Sequence, residues 1–148
     1  MSEIVLAPFS SHDEATMGLL LEAADLSTED ITPGMLEHFK VAHLGPVLVG
    51  CAGLDVQGEA ALLRSVAVDE AHRGLGLGKR LVQAMEDHAR EEGVRELYLL
   101  TTTAEAFFAG LDYRKLPRSE APAGIAATEQ FAGLCPSSSS FMAKTLIP

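Results

Sequence analysis

Arg73-Gly74-Leu75-Gly76-Leu77-Gly78-Lys79-Arg80 is the stretch whose residue types and spacing are best suited to chemistry. Apolar residues fall at helical spacing from about Leu75 onward, so a helix begins among these glycines. The first turn of a helix has unpaired backbone N–H groups and the positive end of the helix dipole. Glycines at 74, 76 and 78 carry no Cβ, so an anion can approach that backbone closely. Arg73, Lys79 and Arg80 add local positive charge to a chain whose formal net charge is −10. Two readings stand side by side: a cradle for a pyrophosphate, or a glycine-rich connector. The spacing does not match a dinucleotide loop, which needs two further residues before its third glycine. No Gly-Lys-Ser/Thr follows four variable residues, so a P-loop is excluded as well.

The elements that position this turn are legible on both sides. Ala60 to Val68 is an apolar run that reads as a strand. From about Leu75 to Glu92, Leu77, Leu81, Val82, Met85 and Ala89 fall on one helical face, opposite Lys79, Gln83, Glu86, Asp87 and Arg90. Gly93 supplies the stop. Glu96 to Thr101 reads as a buried strand. Strand, turn, helix and strand form a β-α-β unit, which requires parallel strands and a right-handed crossover.

Arg73-Gly74-Leu75-Gly76-Leu77-Gly78 resembles the Gln/Arg-x-x-Gly-x-Gly/Ala signature of the GNAT superfamily of acetyl-CoA-dependent N-acetyltransferases. The preceding Leu-Arg-Ser-Val-Ala-Val and the following hydrophobic strand match in context, and with its flanks the likeness extends over nearly the whole chain. The resemblance implies an α/β (α+β) GNAT fold: a mixed, mostly antiparallel sheet flanked by helices, with a central β-α-β core that binds acetyl-CoA. It implies that Val66, Ala67 and Val68 offer backbone groups to the pantetheine arm. Arg73, Gly74, Leu75, Gly76, Leu77, Gly78 and Lys79 would hold the pyrophosphate. The expected reaction is direct acyl transfer from acetyl-CoA to the amine of a small molecule, with no metal. A non-catalytic acyl-CoA-binding protein of the same fold is the alternative.

The chain departs from that pattern at the general acid. Many members carry Phe-Tyr-x-x-x-Gly-Phe after the second core strand, the tyrosine protonating the coenzyme thiolate. Here the stretch reads Phe107-Phe108-Ala109-Gly110-Leu111-Asp112-Tyr113, placing Phe108 at the tyrosine and Asp112 at the glycine. Water, Tyr98, Tyr113 or Cys135 are the remaining proton sources, and no catalytic residue is assigned. Glu37, Glu59, Asp55 and His43 are candidate bases, each more simply read as solvated surface. His72 reads as a turn residue and Tyr98 as core. Arg64 is a charge in the middle of a central strand, either snorkelling to an edge or pointing into the cleft to hold a substrate carboxylate. The segments Leu97–Phe108 and Glu129–Ser138, with Cys135, resemble arsenic-resistance-associated acetyltransferases and amino-acid N-acetyltransferases of the N-acetylglutamate synthase type. Arg64 and Cys135 are therefore the candidate substrate contacts, with an amino acid or an arsenic-bearing analogue as acceptor.

At 148 residues the chain reads as a single domain over 1–148. No apolar run approaches the roughly 20 residues of a membrane span. Met1-Ser2-Glu3-Ile4-Val5 lacks the basic start and apolar core of a signal peptide, so a cytoplasmic location is expected. Two cysteines are too few for a disulfide framework. The acidic balance argues against nucleic acid and favours a cationic or zwitterionic amine. A homodimer is a possible assembly. Upstream, the pattern predicts a strand at Glu3–Ala7 and a helix from Ser11, with Ser11 and Glu14 as its capping box. It also predicts a short helix or loop after Pro33-Gly34, and strands at 38–44 and 47–56. Downstream it predicts a helix at 103–111, a strand at 112–116, a helical stretch from Ala121 to Phe131 and a last strand at 137–146.

Overall fold

The computed structural model describes residues 3–146. Seven strands form one sheet: β1 (Ile4–Pro8), β2 (Phe39–Leu44), β3 (Val47–Gln57), β4 (Ala60–Val68), β5 (Glu96–Thr101), β6 (Arg114–Leu116) and β7 (Ser140–Thr145), in spatial order β1-β2-β3-β4-β5-β7-β6. β1 to β4 are an antiparallel meander. The β4–β5 pair is parallel and joined through α3 (Leu77–Glu91), as the β-α-β reading requires. β7 inserts antiparallel between β5 and the short edge strand β6, an order that hydrophobic patterning does not encode.

α3 carries the amphipathic pattern faithfully. Leu77, Leu81, Val82, Met85 and Ala89 are buried against the sheet, and Gly93 takes φ +81° just past the helix end. Burial of five such side chains is worth several kcal/mol before chain entropy is charged against it. The helix starts at Leu77 rather than Leu75, because Gly76 is its N-cap in the left-handed region, φ +77°. On the opposite face, α1 (Glu14–Ala23) and α2 (Pro33–Leu36) cover Phe39, Val41, Leu48, Cys51 and Ala67.

Local chemistry moved two expected boundaries. The capping interaction at the first helix belongs to Ser10 and Asp13, one residue earlier than Ser11 and Glu14. The Ser10 amide donates to Asp13 Oδ2 at 3.0 Å, and a single 3₁₀ turn precedes α1. Asp13 also meets His43 Nε2 of β2 at 2.8 Å. Between α4 (Glu105–Ala109) and β7, the expected continuous helix is broken into α5 (Ala123–Ala126) and a wide turn at Gln130–Leu134. The Thr128 hydroxyl donates to the Ile125 carbonyl at 2.7 Å and accepts from the Phe131 amide, so it replaces the helical ladder there. At the end of α4, Asp112 adopts φ +76°, so aspartate does serve where the resemblance expects glycine.

Candidate functional site

The parallel β4–β5 ladder is short. It pairs Ala60 with Glu96, Ala61 with Leu97 and Leu62 with Tyr98, and then ends, although both strands continue. The cause lies in β4. Against β3, Arg64 faces Gly53 and Ala67 faces Cys51, so β4 holds one residue too many between them. Ser65 absorbs it with φ +56°, a left-handed conformation that costs a non-glycine residue about 1–2 kcal/mol. Its side chain accepts from Arg64 Nε at 3.1 Å and its carbonyl from Cys51 Sγ at 3.3 Å, which holds the bulge in place. A bulge bends and twists its strand. β4 therefore leaves β5 beyond Leu62, opening a wedge whose β4 side is Leu63 to Val68. Val66, Ala67 and Val68 lie on that unpaired length.

The wedge leads to the glycine turn. Gly74 and Gly76 have φ +83° and +77°. α3 has no side-chain cap and no acidic residue in its first turn. The amides of Gly76, Leu77, Gly78 and Lys79 donate to no protein acceptor among the described residues. Arg73, Lys79 and Arg80 form no ion pair with any described residue. Arg73 Nε and one Arg80 nitrogen instead donate to the carbonyls of Val68 and Ile4. A Cβ added at Gly78 would come within 3.2 Å of the Phe107 ring and 4.0 Å of Val68, so the turn, the end of β4 and α4 converge there. Free amides, a helix dipole and three cations together make a site for a polyanion.

The candidate proton donors fare differently. Phe108 is buried, edge-to-face against Tyr113. Tyr113 is 3% exposed, and its hydroxyl donates to Glu86 Oε2 at 2.9 Å. The Lys144 ammonium donates to both oxygens of Glu86 at 3.1 Å and to the Leu111 carbonyl. Burial, then the Glu86 charge and hydrogen bond, push the Tyr113 hydroxyl far above the ordinary phenol range. Tyr113 thus ties the turn after α4 to α3, while Lys144 ties α3 to β7. Tyr113→Phe is expected to lower stability by about 1–3 kcal/mol, since Glu86 loses one buried partner. It should leave kcat within tenfold of the parent, as steady-state kinetics beside a denaturant melt would show. Tyr98 stacks on Phe141 at 5.4 Å, and burial followed by Glu96 raises its pKa. Burial raises the Cys135 thiol as well.

Among the suggested bases, His43 is held by Asp13, Asp55 accepts from Gln57, and Glu59 is exposed beside Arg95. His72 sits in the turn after β4, bonded to Asp69.

Arg64 does neither of the two things the sequence suggested. It is 5% exposed, and its two terminal nitrogens make a fork–fork pair with the carboxylate of Asp30, one arm at 2.8 Å. The remaining N–H groups reach Ser65 Oγ, the Ser27 carbonyl and Met35 Sδ. All five guanidinium donors are therefore engaged within the protein. Asp30 also accepts from Gln130 Nε2 at 3.1 Å, and Gln130 Oε1 accepts from Cys135 Sγ at 3.0 Å. The structure thus joins Arg64 and Cys135, but through Asp30 and Gln130, which the sequence reading missed. Burial alone would raise the Asp30 pKa. The hydrogen bonds and charge of Arg64, with the Gln130 amide, outweigh it and hold the carboxylate below its ordinary range. The only prior signal for Asp30 was Arg64 itself, a strand charge needing a buried counter-ion.

Comparison with known proteins agrees with this architecture. Residues 4–113 match the acetyltransferase (GNAT) family. An uncharacterized N-acetyltransferase of Chlorobaculum tepidum is 32% identical over 122 residues, covering 81% of this chain and 78% of that protein. An amino-acid acetyltransferase of Pseudomonas putida is 30% identical over 92 residues, covering 61% of this chain but only 20% of that longer protein. Among solved structures, N-acetylglutamate synthase from Neisseria gonorrhoeae, complexed with coenzyme A and N-acetyl-glutamate, superposes with a TM-score of 0.85 at 20% identity. The match covers all of this chain and 36% of that one. A Mycobacterium tuberculosis protein in complex with CoA and NLQ gives 0.80 at 22% identity, over 97% of this chain and 99% of that one. With a family match over most of its length and a relative matched over most of both chains, this chain belongs to the GNAT family, as an N-acetyltransferase.

Proposed function

We propose that the wedge and the glycine turn together hold acetyl-CoA, and that the acceptor is the α-amine of an amino acid or amino-acid analogue. The observation that carries the cofactor assignment is the unpaired length of β4 running into a turn of free amides. Val66, Ala67 and Val68 would pair with the pantetheine arm. Arg73, Gly74, Leu75, Gly76, Leu77, Gly78 and Lys79 would surround the pyrophosphate, chiefly through main-chain N–H groups. The thioester then lies in the wedge. The deprotonated amine attacks the thioester carbonyl carbon, the C–S bond breaks, and the proton that the nitrogen sheds on becoming an amide passes by way of water to the departing thiolate. A thiol of ordinary pKa near 8.5 is a good enough leaving group that the missing tyrosine is tolerable. Positioning carries most of the rate.

The acceptor class draws support from the relatives named amino-acid acetyltransferase and from the acidic balance of the chain. The Arg64–Asp30–Gln130–Cys135 network stands just past the point where β4 and β5 part. With every Arg64 donor engaged, Arg64 and Cys135 serve the acceptor by shaping its wall, not by clamping its carboxylate. The test compares kcat/KM for amino acids and for their α-amides, with an arsenic-bearing amino acid in the panel. An amino-acid acceptor predicts a loss of at least tenfold for the amide. Arg64→Lys should lower both substrates alike, because the fork to Asp30 is broken for both. Equal rates with simple amines and amino acids would refute the acceptor assignment. A selective loss of the acid in Arg64→Lys would restore the carboxylate clamp.

A further inference from the structure

Away from the wedge, at the C-terminal end of α3, two histidines and a glutamate converge. His88 and Glu92 are four residues apart and so share one face of the helix end. His38, immediately before β2, faces them from the sheet side. His38 Nδ1 lies 3.0 Å from His88 Nε2 and 4.0 Å from Glu92 Oε1, and the three ligand atoms lie within 4.8 Å of one another. We propose that His38 Nδ1, His88 Nε2 and a Glu92 carboxylate oxygen form a binding site for a divalent transition-metal ion such as Zn²⁺, with water completing the tetrahedron.

The ligand chemistry fits that class of ion. Two imidazoles and one carboxylate suit zinc, cobalt, nickel or copper, whereas calcium and magnesium take oxygen ligands. The spacing fits as well. Ligands about 2.0–2.1 Å from a tetrahedral ion stand about 3.3 Å apart, between the two separations found here. Ligand atoms within 4.8 Å of one another need to draw in by about an ångström to close the site. Glu92 lies beyond the last helical residue with a side chain 41% exposed, so it is free to make that movement. The His38 side chain is 22% exposed, leaving an entry path from solvent. Lys40 also acts on His88, and Glu91 and Glu92 oppose its charge.

Without metal, the 3.0 Å contact is an imidazole–imidazole hydrogen bond in which one ring supplies the proton. With metal, both facing nitrogens present lone pairs and the protons sit on His38 Nε2 and His88 Nδ1. The bond thus holds the donors at near-ligating distance. A fifteen-residue helix is about 22 Å long, so this cluster is remote from the glycine turn at the other end of α3. Acetyl transfer needs no metal. The ion would instead tie the end of α3 to β2 and stabilise the fold by mass action.

The experiment titrates reduced, tag-free protein with Zn²⁺ by calorimetry and with Co²⁺ by absorption. The result expected is one ion per chain, and a cobalt spectrum with tetrahedral ligand-field bands but no thiolate charge transfer. Affinity should fall about 100-fold or more in His88→Gln and in His38→Gln, since even the loss of an outer-shell partner costs 10–100-fold. Zinc should raise the Tm of the parent but not of either variant, and circular dichroism of the variants checks that they fold. Absence of saturable binding would overturn the site and leave a plain histidine pair. So would affinity in both variants unchanged from the parent's, or a thiolate signature from Cys51 or Cys135.

Discussion

Gly76→Val protein is expected to bind acetyl-CoA about 100-fold or more weakly than the parent while remaining folded. Gly76 caps α3 at φ +77°, and nothing lies within 4 Å of where its Cβ would stand. Space is therefore not the obstacle; backbone conformation is. Valine disfavours the left-handed region by about 1–2 kcal/mol or more, so the turn would reshape and swing its amides away. Losing two charge-assisted amide contacts, at about 1.5–3 kcal/mol each, accounts for the drop. Gly76→Asn separates the contributions, because asparagine tolerates that conformation. The difference between Val and Asn measures the backbone part. Arg73→Ala should cost about 1–3 kcal/mol, one contact's worth. Isothermal titration of all three proteins reads these differences directly, and unchanged affinity in folded Gly76→Val would contradict the cradle.

Arg64→Ala and Asp30→Ala should each destabilise the protein by about 3–5 kcal/mol, because either change leaves its partner charged and buried. Against a total of about 5–15 kcal/mol for a domain, that is a large share. Replacing both residues by apolar ones of similar volume should recover most of the loss. The pair also sets an acid limb. Asp30 is held below its ordinary range, so its contribution is present above the unfolded carboxylate value of about 3.9 and disappears as pH falls through the folded value. Asp13, where the Ser10 and His43 bonds outweigh the raising effect of burial, adds to the same limb. Urea melts between pH 3 and 7 should show stability falling towards the acid side. That slope should flatten in Asp30→Asn, at the expense of lower stability throughout.

Local features of the site were legible wherever one segment determines them. The α3 face, the stop at Gly93 and the parallel core strands follow from periodicity and glycine chemistry. Asp112 was readable as a stand-in for glycine because aspartate tolerates positive φ. What escaped is long-range. Asp30 and Gln130 are a hundred residues apart, and neither stretch signals the other until the fold brings both to Arg64. The bulge at Ser65 depends on register against β3, not on local propensity. Placement of β7 between β5 and β6 is a choice of partner, and alternation alone says only that a strand exists. Thr128 broke a helix whose apolar spacing was sound, because its hydroxyl competes with the backbone.

The central claim is that acetyl-CoA bound along β4 acetylates the α-amine of an amino acid. The most direct measurement follows free thiol and N-acetylated product together, by thiol titration and mass spectrometry, in mixtures of the protein, acetyl-CoA and single amino acids. One thiol released per N-acetylated amino acid, with both signals lost in Gly76→Val, is the predicted result. Acetyl-CoA binding without thiol release for any amino acid in the panel would contradict it.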